Sequence, residues 1–249
     1  MKKTYLFAAY PAILLVLDFI MYAVMPGNHT LASLTAASLF IASVLALRLV
    51  HCSPEQPSHK FLFTDVILAC AALFAYACTI CIIFELVSGV ADTSTAAHGL
   101  LKALINDSSL LFILAFFVLM PIAEELAFRY GLQSMLRRRF SDVLSMLIST
   151  AAFTVYCWYV YGSAYILYYF LTGFLLSLIY EKTASAAACS AAHGIMQISQ
   201  IMPVLVLLLP TSYGIALAVL MAAIAAVFLY WWIRHDSAFE KHEAKEMDS

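Results

Sequence analysis

Apolar runs long enough to cross a lipid bilayer follow one another through most of the chain. A bilayer core needs about 20 apolar residues per helix, and this length gives about eight spans. In lipid every backbone group must be hydrogen-bonded internally, which favours helices for runs of this length. The spans are Tyr5–Met25, Leu31–Val50, Phe61–Val87, Leu110–Leu136, Val143–Tyr161, Ala164–Tyr180, Thr183–Leu209 and Tyr213–Ile233. We therefore predict an all-α, polytopic membrane bundle of about eight transmembrane helices.

Composition agrees with a membrane protein. The chain is 64% hydrophobic and 11% charged, whereas a soluble domain is about half apolar and a quarter charged. Lysines near the N-terminus precede an apolar run, as in a signal peptide. That run continues to Met25 and further spans follow, so we interpret it as a retained first helix. The sequence shows no linker or repeat, which predicts one integral membrane domain over residues 1–249 with a charged tail at residues 234–249.

The distribution of cations indicates the orientation. With the N-terminus placed in the cytoplasm, all but two of the thirteen lysines and arginines fall in cytoplasmic segments, the exceptions being Lys102 and Arg129. This skew follows the positive-inside rule. We predict a multi-pass protein of the plasma (inner) membrane with both termini in the cytoplasm, and the absence of a basic patch excludes a nucleic-acid partner.

Ionisable groups inside the spans are few. Each is a functional candidate, because a charge in the bilayer core is costly unless it is paired. Asp65 and Glu85 lie near the ends of the third span, where they can reach interfacial water. Asp18 is alone in its helix, and we interpret it as a hydrogen-bonded structural acid. The remaining groups are Glu124, Glu125, Arg129 and His193.

Two adjacent carboxylates lie in the fourth span. Glu125 precedes Arg129 by four residues, which is the favourable order for an ion pair along a helix. Glu124 points about 100° away from Glu125 on an α-helix. Arg129 is therefore expected to anchor Glu125 and to leave Glu124 for chemistry or metal binding.

Polar groups on two other spans lie at a comparable depth. At 1.5 Å per residue, Glu125 lies about 18 Å, His193 about 16 Å and Cys157 about 22 Å from the cytoplasmic ends of their spans. We therefore expect one site shared by the fourth, fifth and seventh spans.

Three motifs in this order resemble the signature of the CAAX-protease and bacteriocin-processing family (CPBP, or Abi) of intramembrane proteases. The first motif, EExxxR, is complete at residues 124–129. The second, FxxxH, corresponds to Phe153-x-x-x-Cys157, with cysteine in place of histidine. The third, HxxxN, corresponds to His193-x-x-x-Gln197, with glutamine in place of asparagine. The resemblance covers a catalytic-type core of about residues 110–200.

The resemblance implies a membrane-embedded endopeptidase that cleaves a membrane-anchored or lipidated peptide or protein beside or within the bilayer. Glu124 would act as the general base on a water molecule while Arg129 holds Glu125, although the two carboxylates could exchange roles. His193 would bind a metal or stabilise the oxyanion. Gln197, one turn further along, offers an amide donor as asparagine would.

The resemblance also leaves open how the water is activated. The carboxylate could act alone or together with a divalent metal, for which zinc is the candidate. Cysteine, histidine and carboxylate side chains are all zinc ligands. The candidate metal ligands are Glu125, Cys157 and His193.

Three other functions stay open at this point. A non-catalytic member of the family, acting as an immunity, scaffold or regulatory membrane protein, would keep the EExxxR ion pair for structure. A cysteine-dependent peptidase or transpeptidase would use Cys189 or Cys157 with His193 as base. A transporter would use intramembrane carboxylates such as Asp18 as an ion relay, although no repeated half or paired broken helix supports this function.

Overall fold

The fold is an all-α bundle. A computed structural model of the chain describes residues 9–26, 29–49, 63–88, 109–161, 166–199 and 211–247, and within these ranges every regular element is a helix. Four helices contain stretches long and apolar enough to cross a membrane, at Val66–Ile83, Leu110–Arg137, Asp142–Val160 and Thr211–Trp231. Two shorter apolar helices accompany them. The predicted class of an all-α membrane bundle is confirmed.

Eight helices follow one another in the described ranges, and the fourth is divided into α-helical and π-helical segments. Seven are uninterrupted: α1 (Tyr10–Val24), α2 (His29–Leu49), α3 (Phe63–Ser88), α5 (Asp142–Tyr161), α6 (Ile166–Thr183), α7 (Ala186–Ile198) and α8 (Thr211–Met247). Helix α4 runs without a break through Ser109–Ile113, Leu114–Leu119, Met120–Glu125, Leu126–Gln133 and Ser134–Arg137, of which the second and fourth segments are π-helical.

The predicted start of the seventh span at Thr183 is wrong. Helix α6 continues through Thr183, and α7 begins only at Ala186. Between them Ala184 adopts a left-handed conformation with φ of 51°, and the Ser185 hydroxyl accepts a hydrogen bond from the backbone N–H of Ala188 at 3.2 Å. A serine cap of this kind satisfies a donor that the first turn leaves unpaired. The predicted end of this span at Leu209 lies outside the described residues.

Most other boundaries that fall within the described residues lie close to the predicted ones, whereas the predicted starts at Tyr5, Phe61 and Ala164 and the predicted end at Val50 lie outside them. The break predicted between the fifth and sixth spans falls at residues 162–165, which lie outside the described part. The charged tail, predicted as a short helix or a disordered segment, continues α8 as helix to Met247. The side chains of Asp65 and Glu85 also lie outside the described part. The single-domain organisation, the plasma-membrane location and the cytoplasmic termini stay predictions.

Helix α4 occupies the centre of the bundle, where it contacts α1, α2, α5, α6 and α7. Its two π segments flank the short α-helical segment Met120–Glu125. Pro121 lies in the first turn of that segment. Since proline has no N–H, the carbonyl of Phe117, four residues earlier, lacks its α-helical donor. The chain therefore presents a backbone carbonyl to the neighbouring helix just before the two glutamates.

Helix α7 packs against this carbonyl through a glycine. A Cβ atom added to Gly194 would lie 2.5 Å from the carbonyl oxygen of Phe117. No side chain fits at this separation, so the close approach of α7 to α4 requires glycine. This contact sets the distance between the two helices one residue from His193.

We predict that Gly194→Ala separates α7 from α4 and destabilises the protein. The added methyl group meets backbone rather than a flexible side chain, and overpacking of this kind costs about 1–3 kcal/mol. Thermal unfolding of the purified protein in detergent measures the change. Ala191→Ser serves as the control, because Ala191 is exposed on the same helix. An unchanged unfolding temperature for Gly194→Ala would contradict the close contact.

Candidate active site

The predicted ion pair is present in the middle of α4. Arg129 Nε lies 3.2 Å from Glu125 Oε2, and both side chains are fully buried. Arg129 belongs to the π-helical segment that starts directly after Glu125. Single π turns inside helices occur frequently at functional sites. The pair therefore places a compensated charge at the point where the helix changes its winding.

Arg129 also holds α5 and α6 in place. Its Nη2 group donates a hydrogen bond of 2.7 Å to the backbone carbonyl of Gly173 on α6. Its guanidinium carbon lies 4.6 Å from the centre of the Phe153 ring on α5, within the range of a cation–π interaction. A Cβ atom added to Gly173 would lie 2.8 Å from Phe153 Cδ1. Glycine at this position therefore allows α6 to approach Arg129 and Phe153 together.

His193 on α7 faces both carboxylates. Its Nδ1 atom lies 2.9 Å from Glu125 Oε1, and its Nε2 atom lies 3.5 Å from Glu124 Oε2. All three side chains are buried. The prediction that Glu124 points away from Glu125 holds only in part, because the two carboxylates reach different nitrogens of the same imidazole ring.

This geometry constrains the protons of the site. Glu125 pairs with Arg129 as a carboxylate, which can only accept hydrogen bonds. Its short contact with Nδ1 of His193 therefore assigns an N–H to Nδ1. The Nε2 atom then faces a carboxyl oxygen of Glu124. Two bare acceptors would repel each other, so a proton on Nε2 or on Glu124 makes this contact favourable. The site can therefore hold a transferable proton between His193 and Glu124.

Gln197 and Phe153 complete the surroundings of His193. Gln197 Nε2 lies 3.4 Å from His193 Nε2, one turn further along α7. The Phe153 ring meets the imidazole edge to face, with ring centres 5.8 Å apart. The imidazole thus has polar groups at both nitrogens and an aromatic ring against it, which restricts its orientation.

Cys157 lies on α5, one turn beyond Phe153, and is 2% exposed. It is within electrostatic range of Glu124, Glu125 and Arg129. The structure therefore brings α4, α5 and α7 together as the depths of these residues predicted.

The geometry does not assemble the predicted metal ligands. Within the described ranges, no group of three His, Cys, Asp or Glu side chains is placed so that it could hold a metal ion. Both oxygens of Glu125 are already engaged, one by Arg129 and the other by His193. This arrangement of side chains does not fit a zinc ion held by Glu125, Cys157 and His193. Zinc binding by these residues stays a prediction.

The other cysteine considered as a nucleophile is engaged elsewhere. Cys189 Sγ lies 3.6 Å from the carbonyl oxygen of Leu176, to which the thiol donates. Both ring nitrogens of His193 face carboxylates. The structure therefore contains no Cys189–His193 contact of the kind that a cysteine peptidase requires.

An apolar groove runs along the seam between α2, α4 and α7. Its volume is about 880 Å³. Ile122 and Leu126 in its wall flank the glutamate pair along α4, and Gly194 in its wall follows His193 on α7. Its walls include Phe117, Ile122, Leu126, Ser190, Gly194 and Ile198. The groove thus passes close to the site without being lined by its carboxylates.

Several contacts of the site were not anticipated from sequence. The carbonyl of Gly173 is a backbone group, so no side-chain pattern marks it. Asp18 was interpreted as a hydrogen-bonded acid, and its Oδ2 atom does accept a bond of 2.7 Å from the Tyr156 hydroxyl. That partner was not identified, because Tyr156 lies within a run of aromatic residues.

We predict that Arg129→Met destabilises the protein by about 3–5 kcal/mol, because it leaves the Glu125 charge buried without its cation. The second variant, Glu125→Gln with Arg129→Met, removes both charges and should regain much of this loss. Thermal unfolding of both variants measures the difference. Equal losses in the single and double variants would show that the pair is not coupled.

Comparison with known proteins agrees with the three motifs. A family model described as type II CAAX prenyl endopeptidase Rce1-like matches residues 106–199. The matched segment contains the complete arrangement from Glu124 to Gln197. No curated protein and no solved structure matches the chain. Residues 106–199 are thus similar to the CAAX-protease family, which is the family that the three motifs resemble.

Proposed function

We propose that this protein is an intramembrane endopeptidase that hydrolyses a peptide bond of a membrane-associated substrate with a carboxylate-activated water. The observation that carries the proposal is the contact of one buried imidazole with two carboxylates, at 2.9 and 3.5 Å. Such a cluster in a membrane core has a cost that a purely structural bundle would avoid. The family match adds a protease as the class of enzyme.

Glu124 is the proposed general base. It takes a proton from water, and the resulting hydroxide attacks the scissile carbonyl carbon. The proton then passes to the leaving amine as the carbon–nitrogen bond breaks. His193 Nε2 lies beside the same carboxyl oxygen and can exchange a proton with it. Glu125 keeps the imidazole oriented through Nδ1 and is itself held by Arg129.

Gln197 is the proposed donor that stabilises the negative charge developing on the substrate oxygen. Gln197 carries an amide N–H group beside the imidazole. Preorganised donors of this type are a large source of rate enhancement in acyl transfer. Cys157 takes the position of the second-motif histidine on α5, and we propose that its thiol lies beside the reacting groups. No step in this scheme is assigned to a metal ion.

The proposed substrate is a membrane-anchored or lipidated peptide or protein. The family model is that of a prenyl endopeptidase, which supports a lipidated substrate. The groove of about 880 Å³ between α2, α4 and α7 is apolar enough to accept a hydrocarbon chain. Ile122, Leu126 and Gly194 line the groove beside the glutamates and His193. A hydrocarbon chain bound there would therefore bring the attached peptide close to the reacting groups.

We predict that Glu124→Gln lowers kcat by about 10²- to 10⁴-fold, because the amide cannot accept a proton from water. Cleavage is measured by mass spectrometry in proteoliposomes that contain a panel of prenylated and non-prenylated membrane-anchored peptides. Each reaction is run with and without a chelator. Asp142→Asn is the control, since this carboxylate is exposed at the start of α5.

Two results would count against the mechanism. Full turnover by Glu124→Gln would exclude Glu124 as the base, and loss of turnover on chelation would restore a metal-dependent mechanism. If the wild-type protein cleaves no peptide although it is folded, the non-catalytic function of an immunity, scaffold or regulatory protein is favoured instead.

We predict that Cys189→Ala changes kcat by less than about twofold, because Cys189 donates to the Leu176 carbonyl rather than to His193. The same proteoliposome assay measures the effect. A loss comparable with that of Glu124→Gln, in a variant with unchanged unfolding temperature, would instead support a cysteine nucleophile.

A further inference from the structure

We propose that Asp18 and Tyr156 are positioning residues for the site, acting on His193 and Arg129 through a row of aromatic rings. The catalytic consequence rests on the proposed function, whereas the positioning itself can be measured without turnover. Asp18 lies on α1, outside the segment that matches the family model. It would therefore be a contribution of the rest of this chain to the family's site.

The first link is a buried hydrogen bond between α1 and α5. The Tyr156 hydroxyl donates to Asp18 Oδ2 at 2.7 Å. Asp18 is 1% exposed and Tyr156 is 4% exposed. Removing one partner of a buried hydrogen bond leaves the other group without a partner and away from water, which is costly. The bond therefore fixes both the depth of α5 relative to α1 and the direction of the Tyr156 ring.

The second link is a continuous set of ring contacts that leads from Tyr156 to the site. Its ring centre lies 5.4 Å from that of Phe128 on α4. Phe128 meets Phe153 edge to face at 5.4 Å, and Phe153 meets His193 at 5.8 Å. Aromatic pairs at these separations have preferred relative orientations. The orientation of one ring thus restricts that of the next as far as the imidazole.

The row also reaches the cation of the site. Phe153 lies under the Arg129 guanidinium, whose carbon is 4.6 Å from the ring centre. A rotation of Phe153 would therefore alter the contacts of both Arg129 and His193. Close packing transmits such shifts, because the interior has few voids into which a ring can move.

The bonding of Asp18 agrees with this role. Its second oxygen, Oδ1, has no hydrogen-bond partner among the described residues. Burying an acid that is bonded through only one oxygen costs free energy, so the Tyr156 hydroxyl is the contact that offsets part of this cost. Cys157 follows Tyr156 directly on α5, so the same bond also holds the position of the thiol that stands where the family has histidine.

The kinetic experiment compares Asp18→Ala, Tyr156→Phe, their double variant and Asp18→Asn in the proteoliposome assay. We expect the two single variants to lower kcat about tenfold with KM unchanged, because small misplacements of reacting groups reduce the rate. The double variant should lose no more than either single variant, since both remove one interaction. Asp18→Asn keeps an oxygen acceptor for the Tyr156 hydroxyl and should retain most of the activity.

A second readout needs no turnover. The folded protein is treated with a membrane-permeant maleimide, and modification of Cys157 is followed by mass spectrometry, with Cys189 as an internal reference. We expect Asp18→Ala and Tyr156→Phe to increase the labelling rate of Cys157 about tenfold. A tenfold change corresponds to 1.4 kcal/mol, within the range for a lost buried hydrogen bond. Ser33→Ala is the matched control, because it removes a hydroxyl bond of 2.8 Å from α1 to α2 instead of α5.

The outcomes separate this proposal from the proposed function. If neither the wild type nor Glu124→Gln cleaves any peptide, the proposed function fails and the labelling rates alone decide the positioning. If Glu124→Gln is inactive while Asp18→Ala keeps the wild-type kcat, the positioning role is wrong and the protease remains. Unchanged Cys157 labelling in both single variants overturns the proposal in either case, even if their unfolding temperatures fall.

Discussion

One buried guanidinium determines how the central helices meet. Arg129 binds Glu125 within its own helix, donates to the Gly173 carbonyl on α6 and lies over the Phe153 ring on α5. A charge without these partners would be very unfavourable in a bilayer core. The bundle can therefore bury Arg129 only when α4, α5 and α6 are placed so that all three contacts form.

The position of helix α7 also depends on contacts with α4. It reaches Glu125 through His193, and its backbone comes close to the Phe117 carbonyl because Gly194 carries no side chain. The proline that leaves this carbonyl without its usual donor belongs to the same short segment as both glutamates. Local winding of α4, close packing of α7 and orientation of the imidazole are thus parts of one arrangement.

The sequence predicts the helices and much of the site for identifiable physical reasons. Apolar length predicts the bundle, and the four-residue spacing of Glu125 and Arg129 predicts their pair, which forms although Arg129 lies in a π-helical segment. Comparable depth correctly brings His193 to the carboxylates. The observed start of α7 differs from the predicted one, because Ala184 gives no signal of a left-handed residue and Ser185 resembles the small residues around it.

Other features depend on tertiary contacts that a single sequence does not specify. The acceptor at Gly173 is a backbone atom, and the bond from Tyr156 to Asp18 joins residues far apart in the chain. The π-helical winding of α4 places side chains at angles that regular α-helical spacing does not give. The candidate metal ligands share helix depth, but depth alone does not determine whether three side chains converge on one point.

The position of Arg129 and its acid on the same helix also bears on how the protein is made. During synthesis α4 emerges before α6 and α7, which supply the later partners of this cluster. A lone arginine entering the lipid would face a large barrier, whereas an intrahelical pair four residues apart is already neutral. Helix α4 can therefore enter the bilayer with its arginine already paired, and the contacts of Arg129 with α5 and α6 and of the two glutamates with His193 can form later by lateral assembly of inserted helices.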